Sequence, residues 1–187
     1  MTQIIGLAGL AGSGKTTVAH ILQRDHYFQA LAFAEPLKSA CRELWGFTEA
    51  QLYGDQKEVV DERWGITPRT AMQQMGAEYA RTLCEDVHVM RLLERAEGLK
   101  RVAVHDVRFP NEIAALRAAG GRVWWVSRLS VRRSGRVHVS ERSIGPEDCD
   151  LFVPNDGTIE QLERRVSEEL AAWLTSQAET APAPAQP

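Results

Sequence analysis

The chain has 187 residues, a formal net charge of -3 at pH 7, 44% hydrophobic and 25% charged residues. That length fits one ordinary domain with a sizeable core, the composition excludes disorder as the overall state, and the charge excludes a general pull toward nucleic acid or anionic lipid. No apolar run approaches the ~18 residues of a membrane span, the opening Met1-Thr2-Gln3 has no basic stretch of a secretory signal, and Cys41, Cys84 and Cys149 lack CxxC or metal-ligand spacing, so a reduced, cytoplasmic protein is expected.

In chain order, Ile4–Ala8 is a short apolar strand that leads through a glycine-rich turn into an amphipathic helix over Thr17–Arg24. Tyr27–Phe33 is a weaker strand, and Leu37–Trp45 is a helix following Pro36. Residues 46–66 are polar and irregular, with room for one short helix. Thr67-Pro68 opens a helix to about Leu83, with Thr as N-cap and Pro at the first helical position, and another helix spans Asp86–Ala96. Arg101–Asp106 is a β-branched strand, Asn111–Ala119 a helix closed by Gly120-Gly121, and Val123–Ser127 a strand with two tryptophans. Ser130–Arg142 is polar and arginine-rich without helical periodicity, Leu151–Val153 is a last short strand, and Thr158–Leu174 is a long helix. Residues 176–187, rich in Ala and Pro, are expected to be disordered. Short apolar strands alternating with helices predict one α/β domain over residues 1–175, with a parallel sheet of about five strands flanked by helices.

Gly9-Leu10-Ala11-Gly12-Ser13-Gly14-Lys15-Thr16 matches G-x-x-x-x-G-K-[ST] and lies between a strand and a helix, as that loop must. Its glycines let successive N–H groups point at one spot, and the helix that follows adds its positive end, so Ala11 to Thr17 form a phosphate cradle. Lys15 can reach the β- and γ-phosphates and the Thr16 hydroxyl can ligate Mg²⁺. The motif implies binding of a nucleoside triphosphate.

The metal of such a site needs a carboxylate at a neighbouring strand's C-terminal end, and Asp106 stands there, with a helix cap or turn as its other reading. His105, between apolar residues, reads as packed or hydrogen-bonded rather than as a ligand. No second acid follows Asp106, and N-K-x-D, D-x-x-G and L-S-G-G-Q are absent. Mechanical ATPases, guanine-nucleotide switches and transporter ATPases are therefore disfavoured, which leaves small-molecule phosphoryl transfer. Arg128, Arg132, Arg133, Arg136 and Arg142 crowd residues 128–142, expected as a lid over the phosphates, with a basic surface loop as the plain alternative. Only four of the 22 basic residues are lysines. Lys38, Arg69, Arg81 and Arg108 suit an anionic acceptor, because guanidinium forks match phosphate oxygens two at a time.

The succession of the P-loop, F-A-E-P-L-K, L-Y-G-D-Q-K-E, T-P-R-T-A-M-Q-Q-M-G-A-E, H-D-V-R-F-P-N-E, H-V-S-E and N-D-G-T-I-E-Q-L resembles the phage-type deoxynucleoside monophosphate kinases, over Ile4 to Leu174. The D-x-R-x-x-x-E and T-P-R-x-x-x-Q-x-x-G segments are far more specific than the P-loop. The resemblance implies a P-loop NTPase fold with an acceptor-binding helical region near residues 34–97 and an Arg-rich lid. It implies transfer of the ATP γ-phosphoryl group, with Mg²⁺ held at Thr16 and Asp106, to a deoxynucleoside 5′-monophosphate. Lys38, Arg69, Gln73, Gly76, Asp106, Arg108 and Glu112 would surround the acceptor, the arginines on its phosphate and Glu112 at its sugar or base. Lys15, Asp106, Arg108, Arg128 and Arg132 would carry the transfer, Arg136 would join the lid, and Asn155 would lie near the adenine. The implied partners are small nucleotides, not nucleic acid or membrane, for a monomer or homodimer.

Two positions depart from the family pattern: Gly76-Ala77-Glu78 where G-T-E is frequent, and His88 where a Trp is common. Either could alter base preference. The animal-type phosphomevalonate kinases share a P-loop, a P-L-K segment and a D-x-R strand end, and dephospho-coenzyme A kinase is a more distant likeness. A nucleotide-binding module that lost transfer is the alternative of another class, against which stand the acceptor-side residues in family register.

Overall fold

The computed structural model describes residues 2–131 and 143–180. Strands β1 (Gln3–Ala8), β2 (Gln29–Leu31), β3 (Arg101–Val104), β4 (Arg122–Ser127) and β5 (Leu151–Pro154) form one parallel sheet in the order β2-β3-β1-β4-β5. Between them run α1 (Lys15–His26), α2 (Glu35–Trp45), α3 (Glu49–Leu52), a 3-10 turn (Asp55–Glu58), α4 (Pro68–Gln73), a π-helical stretch (Gln74–Ala80), α5 (Arg81–Leu83), α6 (Val87–Ala96) and α7 (Pro110–Ala118). Helix α8 (Ile159–Thr180) follows β5.

The strands are apolar along most of their length, with polar residues at their ends (Gln3, Gln29, Arg101, Arg122, Ser127), because helices cover both faces of the sheet. Ile5, Leu7, Trp124, Val126 and Val153 turn one way and pack with Val18 and Leu22 of α1 and with Leu162, Val166 and Trp173 of α8. Ile4, Ala8, Val104, Val123 and Trp125 turn the other way, against Val89 and Leu92 of α6 and Ile113 and Leu116 of α7. A third, smaller cluster stands off the sheet: Cys41, Phe47, Leu52 and Ala71, edged by Leu37, Trp45 and Met75. It holds α2, α3 and α4 together as an outlying unit beyond the end of β2. No helix among the described residues is long and apolar enough to cross a membrane.

The α/β order, the five strands and their parallel pairing match the sequence reading. Differences fall at element ends and in the outlying unit. The second strand is only Gln29–Leu31, and residues 46–66 hold α3 and the 3-10 turn. Thr67 does cap its helix, accepting a hydrogen bond from Thr70 N, with Pro68 following. That helix does not stay α-helical to Leu83, however, but widens to π geometry at Gln74. Gly76 is pressed against α2 there, since a Cβ on it would meet Leu37 Cδ2 at 2.6 Å. The last helix continues past Leu174 to Thr180, so the first residues of the expected tail are helical.

Candidate active site

All the residues singled out for phosphate chemistry that lie in the described segments gather at one end of the sheet, beyond the strands' C-terminal ends, where ligands of parallel sheets bind. The loop after β1 is the donor half. Gly9 has φ +134°, and a Cβ on it would meet the Val126 carbonyl oxygen at 2.2 Å, so the loop must pass β4 without a side chain. Gly14 has φ +104°, and a Cβ there would strike Asn155 Nδ2 at 2.2 Å. Both positions admit only glycine. Lys15 Nζ donates to Gly9 O at 2.7 Å and Leu10 O at 2.8 Å, which holds the ammonium inside the curve of the loop. Ala11 and Gly12 are exposed on its crest, and Thr16 and Thr17 are exposed on the first turn of α1. Ser13 is 1% exposed, and its Oγ has no hydrogen-bond partner. A cradle of glycines no Cβ could enter, an orphan hydroxyl and an inward ammonium fit a phosphate chain.

Asn155 sits closer to this loop than the sequence implied. Its Nδ2 donates to Ser13 O at 2.9 Å and its backbone N to Ser127 O at 2.7 Å, so it clamps the loop onto β4. Arg128, at the exit of β4, is exposed. Arg132 and Arg136, with Arg133, Arg142 and the H-V-S-E segment, lie outside the described residues.

Across a narrow cleft lined by Gly9, Lys15, Val107, Arg108 and Ile144 lies the segment after β3. Asp106 Oδ1 accepts from Phe33 N at 2.8 Å and Oδ2 from Ala34 N at 3.0 Å. One carboxylate thus ties the end of β3 to the entrance of α2, the helix that carries Lys38. The Lys38 ammonium lies 4.0 Å over the Tyr53 ring, whose hydroxyl donates to Glu35 Oε1 at 2.5 Å. Burial pulls the Lys38 ammonium below its ordinary value, and Asp106 and Glu35 oppose that shift.

Two expectations are corrected here. Glu112 does not face the cleft: it is 2% exposed, and its oxygens accept from Arg108 N at 2.7 Å, Phe109 N at 3.1 Å and Arg81 Nη2 at 2.6 Å. It is the internal brace of the D-V-R-F-P-N-E turn. Burial pushes its carboxyl up to about 7, against the Arg108 amide and the Arg81 charge. Arg81 is likewise committed, paired with Glu112 and stacked 3.9 Å over the Phe109 ring, so it is not an open phosphate ligand. Arg69 is partly exposed and paired with Glu58. Gln73 is half-buried, and Gly76 is buried with its carbonyl 3.4 Å from His88 Nε2. Arg108, in contrast, is exposed at the cleft. The sequence reading passed over Lys57, which the structure sets near Lys38, Arg69 and Arg108. The signal available for it was its place in L-Y-G-D-Q-K-E, as one of so few lysines.

A parallel sheet in this order, with its first strand feeding a P-loop and a basic, acceptor-sized region opposite, is a P-loop kinase. The fold recurs in shikimate kinase from Aquifex aeolicus, with a TM-score of 0.51 and 17% identity over 90% of this chain and 96% of that one. A family model described as deoxynucleotide monophosphate kinase matches residues 50–166. A protein of Acanthamoeba polyphaga mimivirus assigned as a deoxynucleotide monophosphate kinase is 36% identical over 178 residues, covering 84% of this chain and 91% of its own length. The deoxynucleotide monophosphate kinase of Enterobacteria phage T4 is 26% identical over 117 residues, 59% of this chain and 47% of that protein. The chain belongs to the deoxynucleotide monophosphate kinase family.

Proposed function

We propose that the protein transfers the γ-phosphoryl group of ATP to the 5′-phosphate of a deoxynucleoside monophosphate, yielding ADP and the deoxynucleoside diphosphate. The observation that carries this reading is the facing of two halves across one cleft. On one side is a triphosphate cradle; on the other, Arg108 lines the cleft and Lys38 stands on the helix that Asp106 ties to the end of β3, and no carboxylate among the described residues forms an ion pair with either.

An oxygen of the acceptor phosphate attacks the γ-phosphorus in line, forming the new P–O bond as the bond to the β,γ-bridging oxygen breaks and ADP leaves. That oxygen is already largely ionised at neutral pH, so the chain supplies no strong base. Its work is positioning and charge stabilisation. Lys15 exchanges its two loop carbonyls for phosphate oxygens, and the loop N–H groups hold the donor still. Lys38, Arg69 and Arg108 grip the acceptor phosphate, Asp106 sets where Lys38 stands, and Arg128 adds charge from the end of β4. The exposed Thr16 hydroxyl and the unused lone pairs of Asp106 are hard oxygen donors that suit Mg²⁺. Among the described residues no three acidic, His or Cys side chains form a cage, so that ion would share its shell with nucleotide phosphates and water. When bound, Mg²⁺ neutralises charge that develops on the transferring group.

The test is chromatographic product detection after incubation with Mg-ATP and a panel of deoxy- and ribonucleoside monophosphates together with phosphomevalonate. A deoxynucleoside diphosphate formed with ADP is expected. Turnover of phosphomevalonate alone, or none with any acceptor, overturns the reading.

A further inference from the structure

The turn between α3 and α4 has its side chains inside out. From Tyr53 to Val60 every residue is exposed except one, and that one is Lys57. Val59 and Val60, which would gain from burial, stand 58% and 54% exposed. Lysine is among the residues least often buried, and valine among the most often. The direction of the turn is not accidental. Tyr53 N and Gly54 N donate to Glu49 O and Ala50 O at the end of α3, and Gly54 lies so close that a Cβ on it would meet Ala50 O at 2.8 Å. These ties fix where the turn leaves α3.

What Lys57 meets there is positive. Burial lowers its ammonium below the ordinary value, and Lys38, Arg69 and Arg108 lower it further against the opposing charge of Glu58. Three carboxylates of this region have other partners: Glu58 has Arg69, Glu35 the Tyr53 hydroxyl, and Asp106 the amides of Phe33 and Ala34. No described residue gives Lys57 a hydrogen bond or an ion pair. The turn is bracketed by cations: the Lys38 ammonium lies 4.0 Å over the Tyr53 ring at its start, and Arg69 of α4 pairs with Glu58 at its end; like charges gathered there repel one another until an anion enters.

We propose that Lys57 is a direct contact to the acceptor's 5′-phosphate, delivered by the 55–58 turn beside Lys38 and Arg108. This rests on the reading of that region as the acceptor site. The turn is then part of the binding machinery rather than a connection, and its exposed valines are the consequence of holding the lysine inward.

The test compares wild type with Lys57→Met, which keeps the stem and removes the charge, and Lys57→Arg, which restores it. Three quantities are read: calorimetric binding of deoxynucleoside monophosphates, acceptor and ATP KM, and melting temperature. A charge-assisted contact predicts that Lys57→Met weakens monophosphate binding and raises acceptor KM about tenfold or more. ATP KM stays unchanged, Lys57→Arg recovers most of the loss, and Lys57→Met melts at or above wild type because one repelling charge is gone. Unchanged monophosphate affinity in Lys57→Met overturns the inference, as does a loss accompanied by a lower melting temperature and no rescue by arginine. If wild type binds monophosphates without phosphorylating them, the proposed reaction fails while the titrations still decide Lys57. If it binds none, both fall.

Discussion

The two halves of the cleft are built in opposite ways. The donor half is a contiguous loop of backbone N–H groups between β1 and α1, braced against the largest part of the core. Its lysine, Lys15, is held by carbonyls of the same loop. The proposed acceptor half draws on side chains of α2, the 55–58 turn, α4 and the end of β3, and α2, α3 and α4 pack around a small core of their own. A site made of local backbone tolerates change in its surroundings, whereas a site made of distant side chains depends on each tie between elements. Substitutions in the donor half should therefore affect turnover with little effect on stability. Substitutions in the acceptor half should affect stability and acceptor binding together.

The largest effect is expected at Arg81. Arg81→Met leaves Glu112 buried without its cation, and breaking such a pair costs about 3–5 kcal/mol. The cost should be largest near pH 8 and smaller near pH 5, where Glu112 can take a proton, as read by chemical denaturation at both values. Equal loss at both would break the assignment of this pair. On the donor side, Lys15→Ala should lower kcat about 10²–10³-fold, the usual loss for one transition-state donor. Its melting temperature should move by no more than about 4 °C. A collapse of stability in that variant would erase the distinction between the halves.

Asp106→Asn sharpens the comparison further. It replaces a charged acceptor of two backbone N–H groups with an amide that can serve only one, which costs about 1.5–3 kcal/mol. Acceptor KM should rise as the entrance of α2 loosens. Coupled kinetic assays that found only ATP KM altered would place Asp106 with the metal and not with α2. The same brace can be read through the pH dependence of Glu112. Its folded value, about 7, lies above the ordinary 4.5, so the native state keeps a proton that the unfolded state has released. That contribution is complete below pH 4.5 and is lost as pH rises through 7. Glu112→Gln should remove this downward slope, and identical stability profiles for the two proteins across that range would exclude it.

Strand identity and the P-loop were legible because each is set by neighbours in the chain: apolar runs, glycines and a lysine at fixed spacing. The capping of α4 by Thr67 was legible for the same reason. The π-helical stretch was not, because it answers to Leu37 of another helix pressing on Gly76. Arg81 and Arg108 look alike in sequence, and each was read as a phosphate ligand. In the fold Glu112 occupies the first and leaves the second open. Glu112 itself carried the family's pattern correctly, but it serves the turn that presents Arg108 instead of meeting the acceptor directly.

By itself, then, the sequence determined the parallel α/β scaffold and the phosphate-binding loop, since these follow from local dihedral preferences and short-range periodicity, while the kinase family was legible only as a resemblance of successive motifs. Only the tertiary structure decided which cations remain available to a substrate. A charged side chain is spent or open according to the acid that folding sets beside it. For Arg81 that acid is Glu112, 31 residues away; for Arg69 it is Glu58, the neighbour of Lys57 in the 55–58 turn.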